Sequence, residues 1–475
     1  MAIQRSEGLT PSENYLKRLC DQAFLSLWSY PGIYRDQGKG EQGQGKELCD
    51  LLVVFENHII IFSDKYIKFP NSGNLQLDWS RWYKRAVQES AKQIWGAERW
   101  IKSFPNRLFL DRRCTQPFPI ELPKPSTATF HRLVITHDVA KSCRQYFRGG
   151  SGSLFLDNTI IGDSHFKGEC RPFEIGQIDP GKGYIHILDD VTLDIILGKL
   201  DTITDFVDYL SRKEKFLSSN ISVFAAGEEE LLAYYFRQLD KDGKHDFILP
   251  KENLDFLSLE EGFWDDFMQS RQFKSQLEAD RISYSWDALI ETFTKHILDD
   301  TQHYANPPGP RNQEKIVRFL AREPRIRRRM LAKSLIDLLK NTKLDKSATR
   351  VVLPPEEGEP YYVFLLFPHY ENQSIEDYRE MRREVLYSYC LVTKLKFPDA
   401  KDIVGVATDS GMASYRSEDL VYLDGREWTE NEKKDAEYFS NEIGLLRTLK
   451  KFASKEYEFP VKNPRKRKRH HSKKK

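Results

Sequence analysis

Two short stretches near the N-terminus carry charged residues in otherwise apolar runs. Asp50 stands inside ELCDLLVVF, and Ser63-Asp64-Lys65 closes IIIFSDK. A carboxylate within a buried strand has to be paired or to coordinate a cation, because an isolated buried charge is prohibitively costly. Asp64-Lys65, at a strand end, has the plainer reading of an exposed ion pair with no role. Strand alternation puts Ser63 and Lys65 on one face and Asp64 on the other. Upstream, Thr10, Pro11 and Glu13 fit the N-cap, N1 and N3 positions of a capping box, which gives Glu13 a structural reading as a capping glutamate.

Basic and glycine-rich stretches supply a second set of candidates. Arg318, Arg322, Arg325, Arg327, Arg328, Arg329 and Lys333 concentrate positive charge on an expected helix. That patch fits phosphate binding, or equally a solvated face or an interdomain contact with the acidic body. Arg148 opens RGGSGS, whose backbone amides suit a phosphate or a nucleic-acid backbone. The loop lacks the Lys-Ser/Thr ending of a nucleotide-binding P-loop, so a tight turn is the better reading. LDKDGKHDF mimics a calcium loop, but Gly243 falls early and Lys251 stands where the closing Glu belongs.

The elements that must position these groups are legible in outline. Leu16, Leu19, Cys20, Ala23, Phe24 and Leu27 recur at helical spacing, predicting a first helix over 11–28 that Pro31 and Gly32 end. The two apolar runs, broken at Glu56-Asn57-His58, predict a β-hairpin covered on both faces. Residues 78–103 predict one long amphipathic helix, its Trp79, Trp82, Trp95 and Trp100 serving core packing. FHRLVITH then predicts a strand.

This order, α-β-β-β-α-β once a short piece near Ile33–Tyr34 pairs as the first strand, resembles the core of the PD-(D/E)XK nuclease superfamily. Glu13, Asp50 and Ser63-Asp64-Lys65 carry the resemblance, over about residues 10–137. It implies metal-dependent hydrolysis of phosphodiester bonds. Asp50 would be the central ligand of Mg2+ (or Mn2+), which favours carboxylate oxygens and keeps several waters. Lys65 would orient the attacking water and stabilise charge on the phosphate. Family members carry an acid two residues before the lysine, and Ser63 holds that place here. Either Ser63 binds the metal through water, or a bulge turns Asp64 inward, or Glu47 or Glu13 supplies the second carboxylate, or the site is inactive. The passage YIHILDDVTLDIILGKLDTITDFVDYLSRKE, together with the hairpin, also resembles a group of uncharacterised bacterial proteins. That implies a bacterial cytoplasmic setting but no activity of its own; DNA processing or anti-phage defence, with DNA preferred to RNA, is the context that the nuclease-like fold implies.

Length bounds the rest. A chain of 475 residues exceeds one ordinary core. The expected fold class is α/β: a restriction-endonuclease-like core over 1–140, followed by mixed α/β and helical domains. These are glycine-punctuated strands and a helix over 141–225 packed on the first domain, a mainly helical region over 226–304, a second α/β domain over 311–461, and a basic tail over 462–475. ANPPGPRN at 305–312 reads as a linker. The net charge is +2, but the tail holds nine Lys/Arg, including Lys466 and Arg467, and no acid, so residues 1–461 sum to −7. Such a tail seeks polyanions, which makes it, with Arg148 and Arg325–Arg329, a nucleic-acid-binding candidate. No apolar run spans a bilayer, and no apolar leader opens the sequence. The six cysteines form no C-x-x-C pair, which argues against zinc. A protein partner or a second copy fits the leftover domains. The competing reading is a catalytically inactive nuclease fold that binds nucleic acid or protein.

Overall fold

The computed structural model describes residues 3–37, 43–168, 170–251, 254–301, 310–369, 373–410, 416–452 and 455–460. The glycine loop around residue 40, most of the expected linker, and the tail with Lys466 and Arg467 lie outside the described residues.

The chain opens with α1 (Pro11–Phe24), capped by Thr10, whose hydroxyl accepts the Glu13 amide at 3.2 Å. The helix stops at Phe24, not at Pro31–Gly32, because Leu25 takes φ +65°. Pro31 and Gly32 lie within β1 (Ser29–Arg35). That strand is a sheet edge, where a missing N–H costs no ladder bond, and its register shifts between Ile33 and Tyr34. Strands β2 (Lys46–Phe55) and β3 (His58–Lys65) form the hairpin, paired from Leu51↔Phe62 to Phe55↔His58. The crossover is α2 (Leu75–Tyr83), a π turn (Lys84–Gln88) and α3 (Glu89–Ser103), so the expected long helix carries one widened turn. It delivers the chain to β4 (Thr129–Thr136), parallel to β3. The N-terminal arrangement is thus α-β-β-β-α-β. Helices α1 and α3 both pack on β2, which is why that strand is apolar on both faces.

After α4 (Ala140–Phe147) come β5 (Phe155–Ile161), β6 (Glu174–Gln177) and β7 (His186–Leu188). Strand β7 returns to the first sheet, giving the order β1-β2-β3-β4-β7. Helices α5 (Thr192–Lys199) and α6 (Ile203–Leu217) follow, then β8 (Ser222–Ala225), α7 (Glu228–Arg237) and β9 (Phe256–Leu259). A small sheet, β6-β5-β8-β9, therefore joins strands from both sides of residue 225.

Helices α8 (Phe263–Gln269), α9 (Arg271–Asp280), α10 (Tyr284–Asp299), α11 (Pro310–Ala321) and α12 (Arg325–Asn341) lead to the C-terminal sheet. There β10 (Ala348–Val352) and β11 (Tyr361–Phe367) are followed by α13 (Ile375–Lys396), β12 (Asp402–Asp409), β13 (Glu418–Asp424) and α14 (Glu430–Tyr438). Strands β11 and β12 are parallel across α13, the expected β-α-β unit. Tyr362, Phe364 and Val406 face the main core, while Val363, Leu365 and Ala407 pack under α13. Among the described residues no helix is long and apolar enough to cross a membrane.

Candidate active site

Beyond Leu51↔Phe62, the last rung of the hairpin, strand pairing gives way to side-chain bonding. The Asp50 carboxylate accepts the backbone N–H of Asp64 at 2.5 Å, bringing the two acids to the same point of the sheet. Both residues are buried. Burial pushes the Asp50 carboxyl up to about 7; the Asp64 amide offsets this in part, and the negative charges of Glu47, Glu13 and Asp64 add to it. Glu47 is raised as well, by burial and by the Glu13 charge. Glu13 itself is half-buried, and its carboxylate accepts the Leu9 N–H at 2.6 Å, one residue before the N-cap, so only the Thr10 half of the expected capping box forms.

The side chain of Asp64 is fully buried. One oxygen meets His137 Nε2 at 2.5 Å, and the other is sealed from solvent with no hydrogen-bond partner. His137 follows the end of β4, next to the strand that ends in Lys65, and the Tyr66 ring stacks on it at 5.7 Å. Burial alone would lower the His137 pKa; the bond to Asp64 and the charges of Asp64, Asp190 and Asp189 outweigh it, and the net direction is up. His137 was not singled out from the sequence. The signal was present: it is the last residue of FHRLVITH, at the carboxyl end of a parallel strand, where α/β folds gather functional groups.

Lys65 stands apart from these acids. Its Nζ lies 3.9 Å from Glu89 Oε2, on the α3 side of the sheet. Asp64, by contrast, is close enough to raise the Cys20 thiol of α1. Ser63 is buried with an unpartnered hydroxyl. The alternation expected along the strand therefore holds, and it separates the lysine from Asp64. Among the described residues no group of three or more His, Cys, Asp and Glu side chains is arranged to hold a metal ion.

The basic candidates fare differently. The α12 arginines are not a phosphate-binding face: Arg328 and Arg329 are 1% exposed, Arg325 and Arg327 9%. Arg325 bridges Asp201 and Asp287 at 2.9 and 2.7 Å. Arg328 meets Asp287 at 2.7 Å, and Arg329 meets Asp280 at 2.6 Å. Arg327 donates to the Leu353 carbonyl at 2.9 Å. Acids that precede α12 pair with all four of these guanidinium groups, Arg327 lying 3.7 Å from Glu323 as well as on the Leu353 carbonyl. Arg148 is exposed and ends α4 with φ +60°. The donors of its loop are taken by carboxylates: Ser151 N–H by Glu261 at 2.5 Å, Ser153 hydroxyl by Glu229 at 2.7 Å. The loop is a turn whose anion sites are filled from within.

Compared with profiles of known families, with curated proteins and with solved structures, the chain shows no match in any of the three.

Proposed function

We propose that this chain is a divergent PD-(D/E)XK-type nuclease that hydrolyses nucleic-acid phosphodiester bonds with Mg2+ or Mn2+, in a bacterial cytoplasmic setting such as DNA processing or anti-phage defence. One observation carries the reading. Two buried acids, Asp50 and Asp64, meet at the open end of the hairpin, and one Asp64 oxygen has no partner. Buried carboxylates without a cation are unfavourable. Magnesium is commonly held by one or two carboxylates plus water and substrate phosphate, so a third protein ligand is not required. Asp50 and Asp64 would hold the ion, which would polarise the phosphate and activate water. His137 would fix the Asp64 carboxylate, while Lys65, beside Glu89, would have to leave that contact to reach the substrate. The α-β-β-β-α-β order supports the reading.

The test is cleavage of plasmid, single-stranded DNA and RNA by the purified chain, with Mg2+ or Mn2+ against EDTA. Metal-dependent cleavage that falls by about 100-fold or more in Asp50→Ala and in Asp64→Ala is expected. Lys65→Ala should cost less. A folded protein with no metal-dependent cleavage would sink the proposal.

A second reading draws on the position of Lys65 near Glu89 and on the bond between Asp64 and His137, which uses one of the site's oxygens. In that reading the fold is a binding module without catalysis. It predicts nucleic-acid binding unaffected by EDTA and by Asp50→Ala.

A further inference from the structure

The helical segment 75–103 carries three acids, Asp78, Glu89 and Glu98, and two of them are withdrawn from solvent. Asp78 turns back to accept Ser72 N–H and hydroxyl at 2.8 and 2.7 Å. Glu98 is held by Arg132 at 2.6 Å and by Lys102 at 2.6 Å. Besides Glu89 and Lys102, which are paired, the exposed charged residues are Arg81, Lys84, Arg85, Lys92 and Arg99. For none of these five is a carboxylate found within ion-pair distance among the described residues. Lys84 lies 4.6 Å over the Phe166 ring. Lys84 and Arg85 open the π turn at Lys84–Gln88.

This face is unusual for the chain that bears it. Residues 1–461 are net negative, and the α12 arginines are all buried among carboxylates or carbonyls. An unpaired cationic strip is left where self-neutralisation was available. Its one exposed acid, Glu89, is the residue facing Lys65, so Arg85 and Lys92 flank the contact that ties the helix to the end of β3. From Arg81 to Arg99 the strip is about 27 Å long at the α-helical rise. That spans about eight base-pair steps along a duplex axis, at about 3.4 Å per step.

We propose that the exposed face of helix 75–103 is the docking rail for the phosphate backbone of duplex DNA. The assignment rests on the nuclease reading for the identity of the polyanion, and it adds the surface that holds it. Five cations on a rigid helix contact phosphates without reading bases, so the binding is insensitive to sequence and steep in salt.

The experiment is fluorescence anisotropy of the full chain with a labelled duplex of about 20 base pairs, in EDTA, over a salt series. Three proteins are compared with the wild type: Arg81→Glu/Arg85→Glu/Lys92→Glu, the charge-conserving Arg81→Lys/Arg85→Lys/Lys92→Arg, and Lys466→Glu/Arg467→Glu in the tail. The reversal should weaken binding by at least about tenfold and reduce the salt slope by about 2–3, while the conserving variant retains both. Wild-type affinity and slope in the reversal, with losses confined to the tail variant, would overturn the proposal. So would tighter binding of the rail to the matching single strand than to duplex. Cleavage assays on the same proteins separate the two ideas. Binding through the rail without any cleavage defeats the nuclease reading alone, and cleavage with an indifferent rail defeats this one alone.

Discussion

Two basic helices in this protein have opposite fates. Segment 325–329 of α12 is the densest arginine run in the described chain, and it lies in the interior, matched to Asp201, Asp280 and Asp287. Segment 81–99 spreads its cations over several turns and leaves them in solvent. Local charge density therefore says little about availability. What decides is whether acids elsewhere in the chain are folded against it. In α12 the arginines also occupy the first turns, where the helix dipole disfavours positive charge, so their aspartates offset two costs together.

The sharpest way to break this contrast is to remove a buried partner. Arg328→Ala leaves Asp287 with only Arg325 and empties two carbonyl contacts, and it should lower unfolding free energy by about 3–5 kcal/mol in urea titration. A loss below about 1 kcal/mol would mean that α12 is not locked as described. Next in size is a pH effect. Burial raises Glu229 from 4.5 to about 7. The stability that this raised group contributes is full below its unfolded value and is lost as pH rises through about 7. Glu229→Gln should therefore match the wild type near pH 4 and exceed it at pH 8 by on the order of 1–3 kcal/mol, read as a difference in melting temperature. An equal offset at both pH values would remove burial as the cause. The smallest effect belongs to the exposed helix. Arg85→Glu or Lys92→Glu alone should change stability by no more than about 0.5 kcal/mol, because neither removes an ion pair. A larger loss would show that the strip is structural.

Much of the candidate site was readable from residue order. Asp50 in an apolar run announced a buried acid, and alternation separated Asp64 from Ser63 and Lys65. Thr10 and Pro11 announced the helix that Glu13 helps to cap. Other features were hidden for physical reasons. His137 is 73 residues from Asp64, and only the parallel pairing of β3 with β4 brings it in. Strand β7 enters the same sheet after two strands of another, so its membership follows from a crossover that no local pattern encodes. The end of α1 was misread because Pro and Gly are helix breakers in general but are also at home in an edge strand with a register shift.

By itself the sequence determined the elements: propensity, capping and periodicity act over a few residues and are written in adjacent letters. It also determined that Asp50 would be buried. Tertiary structure alone decided which charges stay available, because pairing free energy depends on distances between groups far apart in the chain. It buried the α12 arginines, filled the loop after Arg148 with Glu261 and Glu229, joined His137 to Asp64, and left the cations of helix 75–103 facing water.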